Sequence, residues 1–260
     1  MITSVQNPKI KQIRALQARA KARREAGAYI VEGVRLAEEA LRAGLTPQLA
    51  LYTEELGERG QALVAALQAS KVPVEMIAPH VMQTASDTQS PQGVLLELPM
   101  KPLPLPDNLD FVVIADQLRD PGNLGTLLRS ASAAGVQAVL LPPDGVDPYA
   151  PKVMRAGMGA HFRLPVQILP YDEISAVCRK HHLQIMVSAA RQGTPYYQVD
   201  LTEPLALVIG GEAEGAGAEI AVQAGRRIHI PMPGESESLN AAAAAAVLLF
   251  ETVRQRNAAG

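Results

Sequence analysis

The chain has 260 residues, of which 48% are hydrophobic, so it can build a sizeable core and two domains. Its formal net charge is −2. No apolar run reaches the roughly 18 residues of a membrane span, and the start MITSVQNPKIKQIRALQ lacks the apolar core of a signal peptide, so we expect a cytoplasmic protein. The single Cys178 excludes an intrachain disulfide, and no Cys/His cluster has zinc-like spacing, so we expect no metal.

The first predicted element is a basic helix near residues 7–24. Residues 1–24 hold seven basic side chains and no acidic one. The basic side chains are Lys9, Lys11, Arg14, Arg19, Lys21, Arg23 and Arg24. Such a segment can neutralise several phosphates, which predicts an RNA-binding arm. A solvated helical face is the alternative that the charge pattern leaves open.

Two domains are predicted, both of the α/β class. Helix-like and strand-like segments alternate through residues 1–98, which predicts a small α/β domain. Residues 99–108, PMKPLPLPDN, contain four prolines and therefore form an extended linker rather than a helix. Residues 109–260 form the second domain, whose apolar runs, such as FVVIA at 111–115, are typical of strands buried in a mostly parallel sheet.

Polar side chains follow the strand predicted at 111–115. The segment DQLRDPGNLGTLLRSASAAG runs from the strand end through a Pro-Gly turn into a helix, a junction that suits an anion. Asn123 and Arg129 lie six residues apart, so on an ideal helix they would not share a face. Their convergence would require a non-helical turn at Asn123. A capping asparagine and a surface arginine are the plainer interpretation.

A glycine-rich loop follows the strand predicted at residues 205–209. Glycines in LALVIGGEAEGAG allow a ligand to approach the main chain closely. The loop fits neither the dinucleotide pattern G-x-G-x-x-G nor the phosphate loop G-x-x-x-x-G-K-[ST]. Glu212 either accepts hydrogen bonds from a ligand or caps the turn.

The last segment, IHIPMPGESESLNAAAAAAVLLFE, predicts a strand, a rigid turn and a buried helix from about Ser238 to Arg254. Ser236 or Ser238 can cap this helix. Asn240 places a polar amide at the start of a buried helix, where it must find hydrogen-bond partners.

These three segments, in this order, resemble the SpoU (TrmH) family of RNA ribose 2′-O-methyltransferases, of the SPOUT superfamily, over roughly residues 109–256. Residues 1–98 resemble the family's substrate RNA-binding domain. The resemblance implies S-adenosylmethionine as cofactor, a deep C-terminal trefoil knot, and a homodimer that completes each active site.

The resemblance also implies two sets of site residues. The catalytic set around the reacting ribose is Asn123, Arg129, Glu212, Ser238 and Asn240. The cofactor-binding set is Ser188, Ile209, Gly210, Gly211, Ile230, Met232 and Leu239. The chain departs from the family at one position, because Gly211 stands where an asparagine or similar residue often precedes the glutamate.

The implied function is RNA 2′-O-ribose methylation, with ribosomal RNA favoured over transfer RNA as substrate. Two other classes stay open: a nucleotide-binding oxidoreductase or hydrolase on a doubly wound sheet, and a non-catalytic RNA-binding or ribosome-assembly protein. The family assigns its arginine, here Arg129, as the base. Because a guanidinium is always protonated, our hypothesis is that Arg129 binds the target phosphate or the developing alkoxide, with a neighbouring phosphate as proton acceptor. Asn123 and Ser238 then orient Arg129 and the ribose.

Overall fold

The computed structural model describes residues 1–211, 215–235 and 237–259. The elements of the first hundred residues are α1 (Pro8–Ala18), α2 (Ala20–Ala26), β1 (Ala28–Glu32), α3 (Val34–Arg42), β2 (Leu49–Tyr52), α4 (Glu58–Ala69), β3 (Val74–Met76), α5 (Pro79–Ala85) and β4 (Val94–Pro99). Those that follow are β5 (Phe111–Ala115), α6 (Pro121–Ala133), β6 (Ala138–Leu141), α7 (Pro151–Gly157), β7 (Val166–Ile168), α8 (Tyr171–Lys180), β8 (Gln184–Ala189), β9 (Thr194–Pro195), β10 (Leu205–Ile209), α9 (Ala218–Ala221), β11 (Arg226–His229) and α10 (Ala241–Ala259).

The chain divides into two compact units, and the first comprises Met1–Lys101 and Tyr149–Phe162. Its sheet has the order β1-β4-β2-β3, in which β4 pairs antiparallel with β1 and β2, while β2 and β3 are parallel. Apolar side chains from both faces of this sheet are buried against helices, for example Leu96 with Leu36 and Leu95 with Ile13. This unit is the small α/β body predicted from the first hundred residues.

Residues 149–162 belong to this first unit, although the prolines at 99–108 had led us to assign them to the second domain. Met154 and Phe162 are almost completely buried in the same apolar cluster as Leu36 and Leu98. Arg155 donates a 2.9 Å hydrogen bond to Asp87 within this unit. Packing between distant segments therefore decides which unit residues 149–162 join, and the position of the proline-rich linker does not indicate it.

The second unit, Pro102–Pro148 and Arg163–Gly260, is built on a seven-stranded sheet of order β7-β6-β5-β10-β8-β11-β9. Every pair of neighbouring strands in it is parallel, as predicted. All residues of β5, β6 and β10 are buried, because helices cover both faces of such a sheet. Parallel pairing places the carboxyl ends of β5, β10, β8 and β11 at one edge.

Helix α10 ends the second unit and packs against α6. It begins at Ala241 and continues to Ala259, so it starts later and runs further than the predicted helix from Ser238 to Arg254. Ala241, Ala242 and Ala245 are buried, and such small side chains allow close helix packing. Within the described ranges, no helix combines the length and the apolar character that crossing a membrane requires.

Candidate active site

A cavity of about 420 Å³ lies at the edge where the parallel strands of the second unit end. Its lining includes every residue of the cofactor-binding set predicted from the sequence: Ser188, Ile209, Gly210, Gly211, Ile230, Met232 and Leu239. These residues lie at or just after the carboxyl ends of β8, β10 and β11, or just before α10. Strand ends of open parallel sheets are where ligands of α/β proteins bind.

The two described ends of the glycine loop after β10 meet beside this cavity. Gly211 and Gly215 exchange two backbone hydrogen bonds, of 3.0 and 3.1 Å. A Cβ added at Gly210 would overlap the backbone of Gly215 and Ala216. The main chain itself therefore forms this wall of the cavity.

The surroundings of Gly211 explain why the chain departs from the family pattern at this position. A Cβ at this position would overlap the backbone carbonyl oxygen of Gln117, at the end of β5. The loop and the β5 end approach so closely that any side chain would force the backbone to move. The next predicted site residue, Glu212, lies outside the described residues.

The lining of the cavity fits a small molecule with an apolar part and a polar part. Ile209, Ile230 and Met232 provide apolar surface, while Ser188 and Arg227 provide polar side chains. Small-molecule sites typically have volumes of about 300–1,000 Å³ and a mainly apolar lining with a few polar groups. A nucleoside with a charged tail, such as S-adenosylmethionine, matches both the size and the chemistry.

Asn123 and Asn240, predicted from different segments, meet directly. The Nδ2 of Asn240 donates a 2.8 Å hydrogen bond to Oδ1 of Asn123. The Oδ1 of Asn240 also accepts hydrogen bonds from the backbone N–H groups of Ala242 and Ala243, at 3.0 and 3.3 Å. Asn240 therefore caps α10, a role that the sequence had assigned to Ser238 or to Ser236, which lies outside the described residues. Ser238 instead lines the cavity.

Arg129 does not converge with Asn123 within the chain. Helix α6 begins at Pro121, with Asp120 capping it by accepting from the Asn123 N–H at 2.9 Å, so Asn123 is helical. Six helical residues rotate the side chain by about 600°, which separates Asn123 and Arg129 by roughly 120° around the axis. The Arg129 side chain is exposed, with no hydrogen bond or ion pair to any of residues 1–211, 215–235 and 237–259.

The predicted basic helix is two helices, α1 and α2, with a break at Arg19, whose backbone is extended. Arg23 is only 3% exposed and donates to the carbonyl oxygens of Leu16 and Gln17, at 2.5 and 3.1 Å. It thus satisfies the carbonyls left at the end of α1, and we remove it from the predicted RNA-binding set. The exposed members are Lys9, Lys11, Arg14, Arg19, Lys21 and Arg24, of which Lys9 pairs with Glu75 and Lys21 with Glu25.

Two residues of this region were missed at the level of sequence. Arg227 lines the cavity, and the buried Asp116 contacts the glycine loop. Asp116 follows directly on the buried run FVVIA, and a polar residue at that place lies at the edge where the site forms. Arg227 carries no such signal, because it precedes the end of its strand.

Replacing Gly211 by alanine should damage the cavity. The added Cβ overlaps the Gln117 carbonyl, and such overpacking costs about 1–3 kcal/mol in the free energy of unfolding. We expect weaker binding of S-adenosylmethionine, measured by calorimetry, and a lower melting temperature. Gly225→Ala is the control, because the nearest atom to its added Cβ is 3.9 Å away. Unchanged affinity and melting temperature in Gly211→Ala would contradict the close approach.

Comparisons with known proteins agree with this geometry. The model of the SpoU rRNA Methylase family matches residues 110–250, and that of the MRM3-like substrate binding domain matches residues 7–96. An uncharacterized tRNA/rRNA methyltransferase of Synechocystis is 33% identical over 99% of this chain and 95% of its own length. The 23S rRNA (guanosine(2553)-2′-O)-methyltransferase RlmP of Bacillus subtilis is 29% identical over 96% of this chain and 97% of its own.

A solved structure gives the same result. The crystal structure of an AdoMet-bound rRNA methyltransferase from Sinorhizobium meliloti has a TM-score of 0.87 to this chain, at 31% identity, and the match covers 97% of each. The resemblance predicted from the three segments is thereby confirmed, and with it the class of enzyme, an RNA methyltransferase that uses S-adenosylmethionine. The chain belongs to the SpoU rRNA methylase family.

Proposed function

We propose that the protein transfers a methyl group from S-adenosylmethionine to a ribose 2′-hydroxyl of ribosomal RNA. The observation that carries the proposal is the conjunction of three segments at one edge of the sheet. The predicted cofactor residues line one cavity, and Asn240, directly before α10, is hydrogen-bonded to Asn123 of α6. Ribosomal RNA is favoured over transfer RNA because the Bacillus subtilis relative is named for 23S ribosomal RNA.

The cavity residues would hold the cofactor. When bound, S-adenosylmethionine supplies an activated methyl group on a sulfonium. The apolar side chains of Ile209, Ile230 and Leu239 would enclose its base, and the main chain of Gly210 and Gly211 would face it closely. The chief contribution of the protein to an in-line displacement is the alignment of the ribose oxygen with the methyl carbon.

The polar residues outside the cofactor set would hold the ribose. Arg129 would bind the target phosphate or the developing alkoxide, because its guanidinium is a permanent cation and a planar pair of donors. Asn123 is fixed by Asn240, so its amide can orient the ribose without first losing rotamer freedom. Ser238, on the cavity wall, would meet the same substrate. Glu212, outside the described residues, is kept in the catalytic set by resemblance alone.

The homodimer is part of this proposal. Ala243, Val247 and Phe250 form an exposed apolar stripe on α10, at the helical spacing i, i+4, i+7. Phe250 is 50% exposed, an unusual position for a large apolar side chain on the longest helix. Because Arg129 has no partner within the described ranges, a second copy could supply the groups that complete its site.

The C-terminal trefoil knot and the cytoplasmic location complete the proposal. In support of the knot, β10 and β11 pair with opposite sides of β8, and α10 then packs against α6. The chain after β11 must therefore cross this edge of the sheet to reach α6.

The RNA-binding arm keeps its exposed basic residues on α1 and α2.

Tritium transfer tests the reaction. The protein, tritiated S-adenosylmethionine and unmodified ribosomal RNA should yield 2′-O-methylated nucleosides on digestion. Two control substrates are used: transfer RNA, and a DNA with the sequence of the ribosomal RNA, which lacks the 2′-hydroxyl. Label in a base would contradict ribose methylation, label in transfer RNA alone would overturn the ribosomal preference, and binding of NAD without transfer would favour an oxidoreductase. RNA binding without any transfer would favour an assembly protein.

Arg129→Lys tests the role of the planar guanidinium. Lysine keeps the charge but loses the paired donors, so we expect kcat at saturating RNA to fall on the order of tenfold or more. Arg119→Lys, at an exposed arginine just before α6, is the control and should keep its turnover. A near-normal kcat in Arg129→Lys would show that turnover does not require the planar guanidinium.

Phe250→Glu tests the dimer. A carboxylate in the apolar stripe would have to be buried without a partner at the interface, which is costly. Sedimentation should show dimers for the unmodified chain and monomers for this variant. Gln68→Glu, which adds the same charge at an exposed position of α4, should leave the dimer intact. A monomeric unmodified chain at micromolar concentration would refute the dimer.

A further inference from the structure

Asp116 is a buried carboxylate that the reaction scheme does not use. It is the first residue after β5, and its exposed fraction is 0%. It is not among the residues that line the cavity, so it does not contact a ligand there directly. Burying a carboxylate is costly unless hydrogen bonds compensate the lost water. The partners of Asp116 therefore show what it is for.

These partners connect Asp116 to both ends of the glycine loop. Its Oδ2 accepts a 2.6 Å hydrogen bond from the backbone N–H of Gly217, 101 residues further along the chain. Its own backbone N–H donates to the carbonyl oxygen of Ile209 at 2.9 Å. One residue thus holds the start of the loop through the main chain and the end of the loop through its carboxylate.

Steric contacts reinforce these hydrogen bonds. Gln117, the residue after Asp116, has φ +52°, a left-handed conformation that is uncommon for residues other than glycine. In this conformation its carbonyl oxygen lies against Gly211, and its side-chain amide lies against Gly217. A side chain at Gly211 would overlap the main chain of Gln117, whereas one at Gly217 would displace only the end of the Gln117 side chain. The position of Gly211 therefore follows from the backbone conformation of Gln117.

Tyr171, the first residue of α8, holds the carboxylate from the other side. Its hydroxyl donates a 2.8 Å hydrogen bond to Oδ1 of Asp116. Burial, and then the hydrogen bond and charge of Asp116, raise the pKa of Tyr171 well above its usual range. Tyr171 therefore keeps its proton at any working pH and remains a donor. Both carboxylate oxygens are satisfied, which fixes the rotamer of Asp116.

We propose that Asp116 is a positioning residue that holds residues 209–211 and 215–217, the two described ends of the glycine loop, where they bind S-adenosylmethionine, with Tyr171 orienting its carboxylate. The inference rests on the proposed placement of the cofactor in this cavity. Ile209, Gly210, Gly211, Gly215 and Ala216 of this loop line the cavity. A displaced loop would lose contact with the cofactor, whereas the exposed basic residues of α1 and α2 would bind RNA unchanged.

Asp116→Asn is the most informative variant, because it preserves the shape of the side chain. The amide has one acceptor oxygen and one NH₂ group, so it keeps both partners only if it accepts from Gly217 and the Tyr171 hydroxyl turns from donor to acceptor. Replacing charge-assisted hydrogen bonds by weaker neutral ones should raise the dissociation constant for S-adenosylhomocysteine about tenfold, since tenfold corresponds to about 1.4 kcal/mol. Tyr171→Phe keeps the bond to Gly217, so we expect a smaller rise, of about threefold.

Calorimetry, steady-state kinetics and hydrogen exchange measure the effect. In Asp116→Asn, KM for S-adenosylmethionine should rise while KM for RNA stays constant, and amide exchange should accelerate within 209–217 only. The control is Asp172→Asn, which makes the same charge change at an exposed position of α8. If Asp116→Asn fails to fold, Tyr171→Phe decides by the same readouts.

The outcomes separate the inference from the function on which it rests. If the unmodified chain does not bind S-adenosylhomocysteine, or binding does not slow exchange in 209–217, the proposed cofactor site is wrong. If the unmodified chain binds and protects this segment, but Asp116→Asn and Tyr171→Phe bind with unchanged affinity, the positioning role is wrong. A uniform acceleration of exchange through the second unit would also overturn it, because that result indicates a general loss of stability.

Discussion

Parallel pairing of β5, β10, β8 and β11 is the constraint on which the rest of the site depends. Because all four strands point the same way, the residues that follow them meet at one edge although the sequence separates some of them by more than a hundred positions. A hydrogen bond such as Asp116 to Gly217 can form only at such an edge. The cavity, the glycine loop and the start of α10 are all consequences of this alignment.

The residues predicted to hold the cofactor, all of which line the cavity, could be found from the sequence because each stands at a strand end or next to a conspicuous turn, which are local features. Contacts between distant segments could not be found in this way. No local feature of the sequence indicates that Asn240 is hydrogen-bonded to Asn123. None indicates that the Arg23 side chain points inward either, because its orientation depends on the break between α1 and α2 at Arg19. The placement of residues 149–162 failed for the same reason, because their buried side chains find partners far away in the chain.

The glycine loop shows how an apparent defect can be a steric necessity. A polar side chain at Gly211 would add a hydrogen-bonding group, but the carbonyl of Gln117 occupies the space that its Cβ would need. The left-handed conformation of Gln117 produces this close approach. The chain thus replaces a side-chain contact by a main-chain surface, and the two positions must change together if either changes at all.

The double role of Asn240 limits what substitution at that position can reveal. Its oxygen caps α10 and its nitrogen holds Asn123, so one amide serves helix stability and site geometry at once. Aspartate or serine can replace the cap but offers no comparable donor to Asn123. Loss of activity after such a change would therefore combine the loss of the cap with the loss of the contact to Asn123. A substitution at Asn123 is needed to separate these two causes.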